Sequence, residues 1–493
     1  MRVFLKLLFV CIMFIPVALL QQKDAQAIPV FARKYKTACT TCHWIAFPKL
    51  NSFGMAFRAR NYRIPPEDEI YVKDEAISLG SEGYKKVFPD TVWPSTLPYL
   101  PPLSMVIQSD FNINTREAEN NSKYNFAGIS EVELVTAGTL GESFSWFGSV
   151  VLNEADSYEY ESMTEVHRLF WQYTPRWIPG GDDEPGIVSV RFGVLEPRAA
   201  PFRDHLRLIT SSMSMANMFP IVPTGNYTTL HRQAGLEIFG AYNGFGGKGG
   251  VRWAAGVVNG QPAMFGAFGM TSAYMNMMIA GHVSEQWEGK FDINNAKDYY
   301  ARVNYKIGGM GVLGGTTEDG GLPSTGKNWQ ETALTLGGFF YRGTNGYFKN
   351  PAMGMGWSNS GNKFWRYGGE AHMDWWNFKF SLAGTFYEDN PDHAITIGGR
   401  SGKDFNAAIY TGRVVMATPG LPWVIPAVRV EHVDPDYDVG DWPSFTRTSF
   451  DLTLLIRANI KAVMGGYVTS SDWKGPQPMA LRDTYHMSMV IGF

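Results

Sequence analysis

Residues 299–307 read Tyr299-Tyr300-Ala301-Arg302-Val303-Asn304-Tyr305-Lys306-Ile307. Side chains of an extended chain point alternately to opposite faces. Tyr299, Ala301, Val303, Tyr305 and Ile307 therefore share one face, and Tyr300, Arg302, Asn304 and Lys306 share the other. The pattern recurs. In 365–375, Trp365, Tyr367, Ala371, Met373 and Trp375 oppose Arg366, Glu370, His372 and Asp374; in 447–458, Phe450, Leu452, Leu454, Ile456 and Ala458 oppose Arg447, Ser449, Asp451, Thr453 and Arg457. Similar runs occupy 104–114, 129–139, 144–155, 186–195, 378–388 and 482–493, with Gly, Asn, Asp and Pro turns between them. A soluble sandwich buries the apolar face, whereas a membrane barrel turns it to lipid and lines its lumen with the polar one. Alternation alone fits both.

Three features favour the barrel. The first is export: Arg2 and Lys6 precede an apolar run from Leu7 to Leu20 and a small-residue site Ala25-Gln26-Ala27. That is the layout of a cleaved signal peptide, residues 1–27, with the mature chain starting near Ile28 outside the cytoplasm. The second is the placing of aromatic residues such as Trp365, Trp375 and Trp376 at strand ends, in a chain with 15 Trp, 23 Tyr, 32 Phe and only 18% charged residues. The third is the C-terminus, where Tyr485, Met487, Met489, Ile491 and Phe493 share a face and an aromatic residue comes last, like the terminal strand of bacterial outer-membrane barrels. No stretch after the signal approaches the ~18 consecutive apolar residues of a membrane helix.

The 390 residues of 104–493, at roughly 24 per strand with its turn or loop, give about 16 strands, an even number as single-chain bacterial barrels require. The fold expected is all-β: a transmembrane antiparallel barrel lodged in outer-membrane lipid. Segments 196–231 and 260–296 are not strand-like and read as external loops or a fold-in that narrows the pore. Glu131, Glu133, Glu370, Asp374 and Asp451, with Arg302, Arg366 and Arg457, read first as the solvated wall of that pore, and secondly as a guide for a small cation. The net charge is −3, or −5 once the signal with its +2 is removed, and nothing in its distribution suggests nucleic acid.

The remaining chemistry lies ahead of the barrel. Cys11 belongs to the signal, which leaves Cys39 and Cys42 in Cys39-Thr40-Thr41-Cys42-His43, the attachment motif of haem c. Two thiols at this spacing reach the two vinyl groups of one porphyrin, and the adjacent histidine becomes an axial iron ligand. A redox dithiol would want a strand–helix setting, and zinc would want further Cys or His nearby, but the next histidine is His167. One covalent haem c held by Cys39, Cys42 and His43 is the expectation. For the sixth iron position Met55 is a candidate that reads first as packing, alongside Met213, Met215, Met218, Met270, Met275, Met277, Met278 or a lumen histidine; a copper(I) site among the loop methionines is a further alternative. Residues 28–62 are too few to bury a haem unaided. They are expected to fold as a small helical plug in the pore mouth, the alternative being a separate haem bead on the Pro-rich linker 63–103.

The stretches Phe31-Ala-Arg-Lys-Tyr35, Cys39-Thr-Thr-Cys-His43, Phe47-Pro-Lys-Leu-Asn51-Ser-Phe53-Gly54-Met-Ala-Phe57, Asn61-Tyr62 and Phe88-Pro-Asp-Thr-Val-Trp93-Pro-Ser-Thr-Leu-Pro98-Tyr-Leu-Pro101 resemble the start of the fused monohaem cytochrome–porins. The resemblance covers residues 28–103, and the barrel agrees with it in length and pattern only. It implies an outer-membrane c-type cytochrome that takes electrons from extracellular iron(II) and hands them to a periplasmic cytochrome. It also implies that Phe31, Pro48, Leu50, Phe53 and Phe57 pack on the haem. Asn61 departs from it, since Gly-Tyr is common there among relatives. The implied activity is that of an iron(II):cytochrome oxidoreductase. The alternatives are a porin whose haem plug senses redox state or gates transport, and electron export to an external acceptor.

Overall fold

The computed structural model describes residues 30–45, 47, 49–64, 78, 80–91, 103–114, 124–140, 143–154, 165–175, 187–199, 233–260, 296–314, 328–345, 348–349, 356–357, 362–390, 396–397, 400–401, 405–436, 444–471 and 483–492. The signal peptide, the loop methionines and nearly all of 196–231 and 260–296 lie outside these residues.

Sixteen antiparallel strands close into a barrel. They are β1 (Leu103–Asn114), β2 (Tyr124–Leu140), β3 (Phe144–Glu154), β4 (Glu165–Tyr173), β5 (Ser189–Leu195), β6 (Gln233–Asn243), β7 (Lys248–Val258) and β8 (Asp298–Met310). Then come β9 (Thr332–Asn345), β10 (Asn362–Trp375), β11 (Phe378–Asn390), β12 (Phe405–Met416), β13 (Val424–Asp436), β14 (Phe445–Arg457), β15 (Ile460–Ser471) and β16 (Thr484–Gly492). Each strand pairs with its neighbours in sequence, and the last pairs with the first, from Val106 opposite Gly492 to Asn114 opposite Thr484. Closure leaves no edge, so every ladder group can be satisfied without water. Two-residue hairpins, 348–349 with 356–357 and 396–397 with 400–401, stand apart from the barrel sheet.

The alternation resolves as the membrane case. Along β8 Tyr299, Val303, Tyr305 and Ile307 are exposed on the outer face, while Asp298, Tyr300, Arg302, Asn304 and Lys306 are buried on the inner one. Met487 and Met489 of the closing strand also face outward, and Phe493 lies outside the described residues. Tight turns such as 243–248, 375–378 and 457–460 gather at one rim, together with the longer connections 174–188 and 311–331, whereas every connection at the other rim has eight or more residues. In outer-membrane barrels the short-turn rim is periplasmic. Trp375 and Trp376 stand exposed there beside Phe378, as side chains of an interfacial girdle do.

An arginine in place of Val303, at mid-strand on the lipid face, is expected to destabilise the barrel by about 2–4 kcal/mol, against about 0–1 kcal/mol for Tyr299→Arg near the strand end. The check is the fraction of unheated protein that runs as the compact folded band on a gel.

One expectation needs correction. The lumen wall is not solvated: Glu133, Glu370, Asp374, Asp451, Arg302 and Arg366 are all buried. Lateral pairing is one reason, as Arg302 binds Glu370, Lys379 binds Asp374, and Arg191 and Arg198 both bind Glu237 at 2.7 and 3.1 Å. Desolvated charges persist only in such pairs. Glu131 is only partly buried, because a register shift between β1 and β2 leaves Ser130, together with Glu133, as the buried pair. Within the linker, Ser81–Val87 forms a short helix with no buried residue.

Candidate functional site

Residues 30–64 form a small plug inside the short-turn end of the lumen. Its first helix, α1 (Val30–Tyr35), meets β1, where the Val30 amide donates to Ser104 Oγ at 2.9 Å and Arg33 bonds the Leu103 carbonyl. The second, α2 (Ser52–Ala59), lies against the wall on several sides. Gln172 donates to the Arg58 and Ala59 carbonyls at 3.3 and 3.1 Å, and Lys306 donates to Ser52 Oγ at 2.7 Å. Between the helices, Lys461 donates to the Phe47 carbonyl at 2.9 Å and Asn328 to that of Thr41 at 3.2 Å. Trp44 is fully buried among Trp329, Val415, Ala417, Ile425 and Ala427. Partners from strands all round the barrel thus hold a segment too small to fold stably alone. Tyr62 and Ile64 belong to its apolar cluster with Tyr35, Phe53 and Phe57.

Cys39–Thr41 forms one 3₁₀ turn. The Cys42 and His43 amides both donate to the Cys39 carbonyl, at 3.2 and 2.8 Å, so the three motif residues are drawn into a single turn. Asn51 pins it. Its side-chain amide reaches the carbonyls of Thr40, Thr41 and His43 at 3.0, 3.1 and 3.1 Å, and its Oδ1 caps α2 by accepting from the Gly54 amide at 2.9 Å. This asparagine was not singled out in the sequence, although an Asn just ahead of a helical run is an N-cap signal. Gly54 is there for want of space: a Cβ on it would stand 2.0 Å from the Cys42 carbonyl oxygen.

His43 Nδ1 lies 3.3 Å from the Lys49 carbonyl, which favours the tautomer with its proton on Nδ1 and the lone pair on Nε2. Metal-ligating histidines are commonly oriented by such a carbonyl. The two thiols are not joined as a disulfide. Burial pushes Cys39 up to about 11 and Cys42, which also feels Cys39, up to about 12. Redox dithiols work through a thiolate near neutral pH, so this setting suits thiols converted to thioethers better than thiols that exchange.

The surroundings fit an apolar ring system. Phe31, Phe53 and Phe57 gather with Tyr35, Tyr62 and Cys42 in one cluster, with Phe31 stacked on Tyr62 at 5.2 Å and edge-on to Phe57 at 4.9 Å. Leu50 bridges to His43, and Pro48 lies outside the described residues. Buried atoms left over, Trp44 Nε1 and Tyr62 Oη, have no hydrogen-bond partner among the described residues, as expected of a site completed by a group with acceptors of its own. Asn61 takes φ +60° and so adopts the left-handed region that glycine favours, which asparagine tolerates best among the others. Its side chain bonds the Ser143 carbonyl and accepts from Ser145 Oγ at 2.9 Å, tying the plug to β3.

Met55 is turned to the wall. Arg252 donates to its sulfur at 3.4 Å, and it lines a cavity of about 40 Å³ with Arg58, Phe239, Arg252 and Arg302. Met55→Leu is therefore expected to leave the visible spectrum of the haem-loaded protein unchanged, with a stability cost below about 1.5 kcal/mol. A changed spectrum would instead identify Met55 as the sixth ligand.

Lys49, Lys379 and Arg413 are buried beside this turn, and none was singled out in the sequence. Burial, with Lys379 and Arg413 close by, holds the Lys49 ammonium well below the ordinary lysine range. No group of three or more His, Cys, Asp or Glu able to hold a metal ion occurs among the described residues.

No protein-family model matches the chain, and no curated protein matches it. Among solved structures it is similar to an anion-selective porin from Comamonas acidovorans, with TM-score 0.48 and 10% identity over 79% of this chain and 98% of that one. It is similar also to the outer-membrane channel DcaP of Acinetobacter baumannii, with TM-score 0.45 and 9% identity over 79% and 96%. A third is OmpT, an outer-membrane protein of Vibrio cholerae, with TM-score 0.44 and 8% identity over 79% and 98%.

Proposed function

We propose that this chain is an outer-membrane c-type cytochrome fused to its own barrel, oxidising extracellular iron(II) and delivering the electrons to a periplasmic carrier. The observation that carries the reading is the Cys39–His43 turn, drawn into register by Asn51 inside a closed barrel whose inner wall is buried. Cys39 and Cys42 would anchor the haem and His43 would bind its iron. The bound haem supplies a one-electron couple, which matches iron(II) to iron(III). The chain's own part is to hold that group, keep water from it with Phe31, Phe53 and Phe57, and bridge a layer of about 30 Å that otherwise insulates donor from carrier. Iron(III) formed near neutral pH is insoluble, so a cell gains by oxidising iron(II) outside.

The test is anaerobic mixing of purified full-length protein with iron(II) while the haem absorbance is followed. Reduction within the mixing experiment, followed by reoxidation on adding an oxidised periplasmic cytochrome, is the expected result. Haem that dithionite reduces and iron(II) does not would remove iron from the reading. Haem that reduced periplasmic cytochrome reduces, and an external acceptor reoxidises, would reverse the direction.

A further inference from the structure

Basic side chains are rare on the outer face of the barrel. Among the described residues of the sixteen strands, the exposed lysines and arginines are Lys248, Arg342 and Lys363. Lys248 begins β7 at the periplasmic rim. Arg342 and Lys363 lie at the other rim, on the adjacent strands β9 and β10. Arg342 stands opposite Trp365 and Lys363 opposite Thr344, so the two cations are diagonal neighbours, at strand positions ~7–8 Å apart. Both point away from the lumen. Arg342 pairs on its other side with the exposed Tyr299, and Lys363 shares the face of Trp365, two residues on. Neither side chain makes a hydrogen bond, ion pair or ring contact among the described residues. Lys297, two residues before Tyr299, brings a third cation to the same end of the strands. The nearest carboxylate along the row is Glu388, across from Trp365 on β11, and it accepts from the Tyr367 hydroxyl at 2.5 Å. The height is that of a membrane interface. From Gly338, opposite the mid-strand Val303, to Arg342 the strand climbs about 10 Å, at ~3.3 Å per residue and a tilt of ~40°. An apolar band about 25 Å tall ends close to that level.

We propose that Arg342 and Lys363, flanked by Tyr299 and Trp365, bind the phosphate of a phosphorylated lipid in the outer leaflet, the kind of headgroup that lipopolysaccharide carries. Charge is the first argument. Like charges side by side on neighbouring strands destabilise a sheet, and an anion between them reverses that sign. Chemistry is the second. A guanidinium grips two phosphate oxygens at once and an ammonium adds a point charge from the side, and both side chains are long enough to converge across one diagonal. Level is the third, for the surface beside Arg342 and Lys363 is where a bilayer presents its headgroups, and Tyr299 and Trp365 are the amphipathic rings that lie at that depth. A cation here costs the barrel only about 0–1 kcal/mol, against about 2–4 kcal/mol at the midplane. Arg342 is thus placed where lipid phosphate reaches it and acyl chains do not exclude it. Nothing in this site depends on the haem.

The experiment uses full-length protein in detergent, as wild type, Arg342→Gln/Lys363→Gln, Arg342→Lys and Lys248→Gln, each first shown to run as the compact folded band. Lipopolysaccharide, its dephosphorylated form and inorganic phosphate are the probes, and native mass spectrometry reads the bound fraction as each is titrated. The wild type should hold lipopolysaccharide about twenty-five-fold more tightly than the double variant, roughly fivefold for each cation removed. Arg342→Lys, which keeps the charge and loses the fork, should fall between them, and Lys248→Gln at the opposite rim should match the wild type. The dephosphorylated lipid should bind the wild type as weakly as lipopolysaccharide binds the double variant. Equal affinity of wild type and double variant for lipopolysaccharide would overturn the site. A wild type that holds inorganic phosphate as tightly as the lipid, and loses both in the double variant, would make it a free-anion site and overturn the assignment to lipid. Wild-type dimers that the double variant lacks, with no lipid bound to either, would put a second copy of the chain on this face instead.

Discussion

Protein in which Cys39 and Cys42 are both alanine should carry no denaturation-resistant haem, yet its barrel should close as before. The two halves of this expectation have different causes. A thioether needs a thiol, and after the signal the chain offers only these two. Closure is set elsewhere, by sixteen ladders that run to their neighbours and by the pairing of β1 with β16. The plug touches that wall through hydrogen bonds and Trp44 packing but contributes no strand to it. A haem stain should therefore fall to background while the compact folded band persists. Single variants sharpen the test. Cys39→Ala or Cys42→Ala keeps one thioether and a weaker stain, and His43→Ala keeps both thioethers but alters the spectrum by removing a nitrogen ligand. Haem that survives denaturation in the double variant would refute the attachment.

How much of this was legible beforehand depended on whether the signal was local. The period of two at 299–307 fixes which residues share a face, and the structure keeps those faces. Which face meets lipid is a property of closure, so the alternation had to borrow from export and from the aromatic ends. The strand count came from length, because each strand consumes a similar stretch of chain. Glu131 misled because a bulge is invisible to a strict alternation. The wall charges misled because their partners sit on other strands: Arg302 lies on β8 and Glu370 on β10, and no spacing brings them together. At the plug the Cys39–His43 motif is contiguous and could be read at once. Lys379 and Arg413 reach it only through the barrel, so nothing near residue 43 announces them. The helix Ser81–Val87 was hidden by its proline-rich flanks, and none of its residues is buried. Asn61 looked like a departure and proves to be a substitute, taking the left-handed backbone of a glycine and adding bonds to β3.

Gly54→Ala should open the plug without opening the barrel. The added methyl would meet the Cys42 carbonyl oxygen at 2.0 Å and its carbon at 2.8 Å, and both are backbone atoms that cannot rotate away. Relief requires α2 to move off the motif turn. That movement breaks the Gly54 amide bond to Asn51 Oδ1 and, through Asn51, loosens its grip on the carbonyls of Thr40, Thr41 and His43. Overpacking against rigid neighbours costs up to about 3 kcal/mol, or on the order of a hundredfold in the ratio of open to closed plug. A full domain with several kcal/mol of its own stability would absorb that loss. A segment of this size, below the ~40 residues at which domains usually need a staple, has little stability of its own. Proteolysis of unheated protein should cut within 30–64 about a hundredfold faster, and haem loading should fall with it, while the folded band of the barrel stays unchanged. Gly83→Ala is the control, since its Cβ would meet nothing within 4 Å and the residue sits in an exposed helix. There alanine should be neutral or stabilising by up to about 1 kcal/mol. An unaltered plug in Gly54→Ala would mean that α2 does not rest on Cys42, and that something other than Asn51 sets the geometry of the Cys39–His43 turn.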